Sequence, residues 1–285
     1  MLELLLQPLG YDYMARAIWV SALVGALCAF LSSFLILKGW SLMGDALAHA
    51  VVPGVALAYA LALPYALGAF VSGMLSAVVM AVLRQRTRLR EDAVIGVVFS
   101  TFFAAGLLIL SLNPTSVKVQ SIILGNILAI SDEDLQQVVI IAAVSLTILA
   151  LKWQDLKLVF FDARHAASVG LPVTGLNILF FTLLSATAVA ALQTVGACLV
   201  IAMVVTPGAT AYLLTDRFGR LVLIAMALGA GTSATGAYLS YYLDGATGGV
   251  IVTLQTLIFI AVFLLAPKQG RLARWRLARN RAAEV

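Results

Sequence analysis

Residues 41–61 read SLMGDALAHAVVPGVALAYAL. The stretch is apolar almost throughout and long enough to cross a bilayer, which takes about 20 residues in helical form. It lacks the strict alternation of a strand, so a helix is expected. Two ionisable residues interrupt it, Asp45 and His49. They stand four apart and therefore share one helix face. A charge in hydrocarbon is expensive, and such residues face a partner, a cavity or a ligand. Counting from Lys38 at about 1.5 Å per residue puts Asp45 about 10 Å and His49 about 16 Å into the membrane. The hydrocarbon is about 30 Å thick, so His49 falls near its middle. Pro53 and Gly54 follow one turn later. Proline removes a helix hydrogen bond and glycine adds freedom, so a hinge is expected there.

The rest of the chain has the same character. Of 285 residues, 62% are hydrophobic and 11% charged, with a mean hydropathy of +1.05. Soluble domains are close to half apolar and a quarter charged. A soluble enzyme, a disordered chain and a disulfide scaffold are thereby excluded. Apolar runs at 17–37, 41–63, 65–83, 93–112, 134–151, 173–192, 195–214, 221–243 and 248–266 predict an all-α polytopic membrane protein with about nine transmembrane helices. Three regions follow: an amphipathic N-terminal segment at 1–16, a single transmembrane domain at 17–266 and a basic tail at 267–285. A second proline–glycine pair, Pro207–Gly208, lies in the seventh run and is a second candidate hinge. The weak polar break at Gln193–Thr194 separates the sixth and seventh runs. Cys28 and Cys198 lie inside apolar runs without CxxC spacing and read as small packing residues.

Basic residues orient such a chain. With nine spans, every Lys and Arg except Arg16 and Lys118 falls on one side, which becomes the cytoplasmic side. The N-terminus is then outside and the C-terminus inside. The net charge of +5 is explained by topology and anionic lipid contact, and no nucleic acid is expected as a partner. Glu3, Asp12, Asp132, Glu133, Asp134 and Asp244 collect on the outer face, where acids would concentrate a cation.

Asp45 and His49 suit a divalent metal, since imidazole and carboxylate both ligate manganese, iron and zinc. Two ligands do not make a cage, but two copies of the helix across a dimer axis would supply four. A structural Asp–His hydrogen bond and a proton relay remain open alternatives at this spacing. The chain contains no GxxxxGK[ST], so it does not hydrolyse ATP by a P-loop mechanism, and no enzymatic activity is expected. On the cytoplasmic side, the connection 153–172 mixes apolar and polar residues. Asp162 is placed to cap a short helix beginning DARHAA, with Gly170 and Pro172 ending it. Such a helix would serve as a docking surface for an ATPase. On the other side, SIILGNILAI within 113–133 is too short to span and reads as a partly inserted helix.

Several stretches together carry a family resemblance: the opening one, EDAVIGVVFSTFFAAGLLIL at 91–110, SIILGNILAISDEDL at 121–135, FFDARHAASVGLPV at 160–173 and TVGACLVIAMVVTPGATAYLL at 194–214. Over residues 10–266 the chain resembles the permease subunits of bacterial metal-ion ABC importers for zinc, manganese and iron, and looks closest to the manganese/iron branch. The resemblance implies the cobalamin-importer-type permease fold in the bacterial cytoplasmic (inner) membrane. It implies a second permease copy or a sister permease, two cytosolic ATPase subunits that bind ATP, and an extracytoplasmic binding protein that delivers metal. No permanently bound cofactor is implied; the metal is cargo. Asp45 and His49 match the residues that contact metal in the family, and the coupling helix corresponds to about 160–171, where Phe161, Asp162, Ala163, Arg164, Ala167 and Gly170 stand. The other readings are a proton-coupled secondary transporter using Asp45, an intramembrane enzyme, and a siderophore or cobalamin permease. The enzyme lacks HExxH, GxSxG or a second acidic pair.

Overall fold

The computed structural model describes residues 7–112 and 131–266. The partly inserted segment expected within 113–133 and the basic tail expected at 267–285 lie largely or wholly outside them, as do residues 1–6 of the N-terminal segment. Among the described residues the secondary structure is helical: a 3-10 turn at Gln7–Gly10, then α1 (Asp12–Lys38), α2 (Ser41–Ala50), α3 (Val52–Ala60), α4 (Tyr65–Arg86), α5 (Glu91–Leu112), α6 (Asp132–Phe161), α7 (Ala163–Ser168), α8 (Val173–Val195), α9 (Ala197–Leu214), α10 (Phe218–Leu243) and α11 (Thr247–Leu265). Eight helical stretches are long and apolar enough to cross a membrane, with α2 and α3 together forming one of them as Leu42–Ala60. The run expected at 195–214 is α9, which contains a shorter apolar helix at Ala202–Leu214. Helices are the only open-ended solution in lipid, because each satisfies its backbone within itself.

The boundaries follow local chemistry. Pro64 stands at the N-cap of α4, where a missing N–H costs nothing. The break between the sixth and seventh runs is made by Gly196 rather than by Gln193–Thr194. Its φ of +89° is open to glycine and strained for other residues. The first span starts at Asp12, five residues before the apolar run, so part of the expected amphipathic segment belongs to α1. The connection expected at 153–172 is shorter than its sequence suggests, because α6 continues to Phe161. At 30 residues α6 is about 45 Å long, beyond the roughly 30 Å of hydrocarbon. Its mixed last turns therefore project as helix.

The chain divides into two compact units. One comprises residues 1–36 and 202–285. Here α1 lies against α10 at Gly25 and Gly229, where a Cβ on either would strike the other's carbonyl. Small residues let membrane helices approach to backbone contact, which replaces the hydrophobic drive available in water. Phe34 meets Phe218 edge to face at 5.1 Å, and Gln255 on α11 donates to Thr232 on α10 at 3.1 Å. The other unit comprises residues 37–201. Its core joins α3, α4 and α8 to the residue between α2 and α3, through Val55, Ala69, Val189 and Val51.

Candidate transport site and coupling segment

The opening stretch folds as two helices with one residue between them. α2 ends at Ala50 and α3 begins at Val52, with Pro53 in its first turn. Val51 keeps right-handed helical angles (φ −71°, ψ −28°), so the break is a loss of hydrogen bonds more than a change of direction. Pro53 has no N–H to give the carbonyl of His49, its partner four residues back. That carbonyl accepts from Val51 instead. The Ala50 carbonyl accepts from the Ser72 hydroxyl of α4 at 2.6 Å. Ser72 reaches it because α3 and α4 touch at Gly54 and Gly68, where a Cβ on Gly54 would fall on the Gly68 carbonyl.

His49 lies in the last turn of α2 and is half-buried. Its ring meets Phe99 at 5.0 Å and Phe103 at 5.2 Å, at interplanar angles of 66° and 75°. The two phenyl rings are nearly parallel, 6.1 Å apart. Both belong to α5, and three residues further on Gly106 meets Pro53, where a Cβ would come within 2.8 Å of the proline nitrogen. Positions 99, 103 and 106 form one face of α5. That face holds His49 and the break behind it together. Asp45 is one turn before His49 on α2; its side chain is outside the described part of the structure. Beyond the break, Pro53, Gly54, Val71, Phe102 and Ile109 help line an apolar cleft of about 380 Å³. Among the described residues no three His, Cys, Asp or Glu side chains gather closely enough to hold a metal ion.

At the start of the same helix stands Trp40, the residue before α2. It stacks on Phe181 of α8 at 5.8 Å and meets Phe160 of α6 edge to face at 5.5 Å. Phe160 also packs on Phe180 at 4.6 Å. One residue past Phe160 begins the segment for which a coupling role is expected. Phe161 is 76% exposed. Asp162 caps α7 as its position requires, its Oδ1 accepting from the Arg164 N–H at 2.9 Å and the His165 N–H at 3.0 Å. These bonds, the one to His165 first, hold the Asp162 carboxyl below its ordinary range. Ala166 is fully buried, whereas Arg164 and Ala167 are exposed and Ala163 is half-buried. Gly170 has a φ of +85° and turns the chain towards α8. The segment thus presents Phe161, Arg164, Ala167 and Val169 outwards from an anchored turn.

The second proline–glycine pair behaves differently. α9 stays helical through Pro207. Ser32 of α1 donates to the Val205 carbonyl at 3.2 Å and accepts from the Gly208 N–H at 3.1 Å. On α8, Gln193 donates to Asp134 in the first turn of α6 at 3.4 Å. Asp45, His49, both proline–glycine pairs and the α7 cap stand out in the sequence. Phe99, Phe103, Ser72, Ser32 and Trp40 do not.

The chain is 72% identical to the chelated iron transport system membrane protein YfeC of Yersinia pestis, over 98% of this chain and 96% of that one. It is 48% identical to the manganese transport system membrane protein MntB of a Synechocystis species, over 95% and 89%. Among solved structures it resembles PsaBC from Streptococcus pneumoniae in complex with Fab, with a TM-score of 0.85, 33% identity, and coverage of 94% of this chain and 98% of that one. The model of the ABC 3 transport family matches residues 10–266. With that match on a chain of spanning helices, a broken helix carrying His49 and a capped short helix at Ala163–Ser168, the protein is a multi-pass membrane protein of the ABC 3 transport family.

Proposed function

We propose that the chain is the permease of an ATP-driven importer of divalent transition-metal ions, manganese or iron before zinc, in the bacterial cytoplasmic membrane. The observation that carries this reading is a histidine seated in an aromatic corner one turn after Asp45, inside a spanning helix broken just behind it. Relatives named for iron and manganese transport support the same cargo. Two permeases, identical or sister chains, each bring one Asp45 and one His49 to the path. Four ligands with water completing the shell suit an ion that must be held and then released. The N-terminus lies outside, and an extracytoplasmic binding protein delivers the ion there. Two cytosolic ATPases dock on Phe161, Asp162, Ala163, Arg164, Ala167 and Gly170. ATP is bound and hydrolysed on those subunits. Movement of α7 passes through Phe160 and Trp40 to the start of α2, and the break at Val51–Gly54 lets the site change its exposure.

The test is accumulation of manganese, iron and zinc in cells stripped of their own importers. The chain is expressed with its ATPase and binding protein, as wild type and as His49→Ala. One metal should accumulate, and both His49→Ala and omission of the ATPase should abolish it. Wild-type uptake by His49→Ala sinks the site, and uptake without the ATPase points to proton coupling.

A further inference from the structure

We propose that Phe99 and Phe103 are positioning residues for the transport site: a two-ring clasp on α5 that fixes the orientation of the His49 imidazole. This rests on the transport reading above. An imidazole on a helix can turn about its own side-chain bonds, and each orientation aims its nitrogens differently. At His49 the ring meets two phenyl rings at 5.0 and 5.2 Å, both steeply inclined to it. The phenyl rings are themselves held nearly parallel, 10° apart in plane. Rotation of the imidazole would drive it into one ring or pull it from the other. Aromatic edge-to-face contacts favour the observed angle beyond the area they bury.

Metal-ligating histidines usually owe their orientation to a hydrogen bond on the second nitrogen, and loss of such a partner costs about 10- to 100-fold in affinity or activity. Here packing contributes to that orientation. The same α5 face carries Gly106 against Pro53. The helix face that orients His49 therefore also touches the break that would move it.

The experiment measures uptake of manganese and of ferrous iron, each supplied alone, per mole of permease in the membrane. The permease is assembled with its ATPase and binding protein. Phe99→Leu with Phe103→Leu should raise the half-saturating concentration about tenfold or more, with a smaller change in maximal rate. Phe99→Tyr with Phe103→Tyr, which keeps both rings, should return it to within about twofold of wild type. A role in packing alone would lower the amount of protein or the maximal rate and leave the half-saturating concentration unmoved; that result overturns the clasp. So does failure of the tyrosine pair, when abundant in the membrane, to restore it. His49→Ala separates the two ideas. If it abolishes uptake while the leucine pair saturates like wild type, the clasp alone fails. If it transports like wild type, the site reading fails and the clasp with it.

Discussion

Pro53–Gly54 and Pro207–Gly208 are the same dipeptide in two apolar helices, and they end in different structures. At the first the helix is interrupted, at the second it runs on. Proline alone does not decide this, since each removes one donor. Each region also recruits a serine from another helix. Ser72 only donates, to the carbonyl of Ala50. Ser32 both donates to Val205 and accepts from Gly208, so it bridges the turn. The glycines differ too. A Cβ on Gly54 would fall on the backbone carbonyl of Gly68, whereas one on Gly208 would strike the Ser32 hydroxyl first and come within 2.9 Å of the Ser32 carbonyl. The lesson is that a proline–glycine pair offers a break, and the neighbouring helix determines whether the break is kept open or stitched.

The sharpest way to break this contrast is to add one methyl to each glycine. Gly54→Ala forces two backbones apart and is expected to cost at or above the upper end of the usual overpacking range of about 1–3 kcal/mol. Gly208→Ala displaces the Ser32 hydroxyl and presses less deeply on backbone, and should fall within that range. Thermal unfolding of the purified complex in detergent ranks them, and equal shifts would remove the distinction. Next come the serines. Ser32→Ala deletes two hydrogen bonds and should cost about 1–2 kcal/mol, against about 1 kcal/mol or less for Ser72→Ala. A larger effect at Ser72 would mean that the open break needs its brace more than the bridged one.

The smallest effect belongs to a third helix interruption, that at Asp162, which is exposed. There solvent substitutes for lost bonds, so Asp162→Ala should loosen α7 with little change in unfolding temperature, and Asp162→Asn should behave like wild type. Because the carboxyl is held below its ordinary range in the folded state, the cap's contribution is complete above the ordinary carboxylate pKa of about 4. It fades as pH falls through the depressed value. Amide exchange of Arg164 and His165, compared at pH 6 and below pH 4 after correction for intrinsic rates, reads this directly. Protection that rises on acidification contradicts the sign.

Much of the candidate site was legible before folding. Asp45 and His49 stood out because charge is rare in an apolar run, and Asp162 because a cap has a local signature. Phe99 and Phe103 did not stand out, because phenylalanine in a spanning helix is ordinary and nothing local tells which phenylalanine meets a histidine on another helix. Ser72 and Ser32 were silent for the same reason, serines whose partners lie 22 and more than 170 residues away. The α6 extension to Phe161 was hidden because its last turns mix polar and apolar residues and look like a loop.

By itself the sequence determined that this chain crosses a membrane as helices, roughly where each begins and ends, and which of its residues are candidates for chemistry, because hydropathy, proline, glycine and capping all act within a few residues. Only the tertiary structure decided that one proline–glycine helix breaks while the other continues, and that His49 rests in an aromatic corner of α5. Those outcomes depend on which carbonyl, hydroxyl or ring is brought up by a different helix, and such proximity is a property of packing that no single stretch encodes.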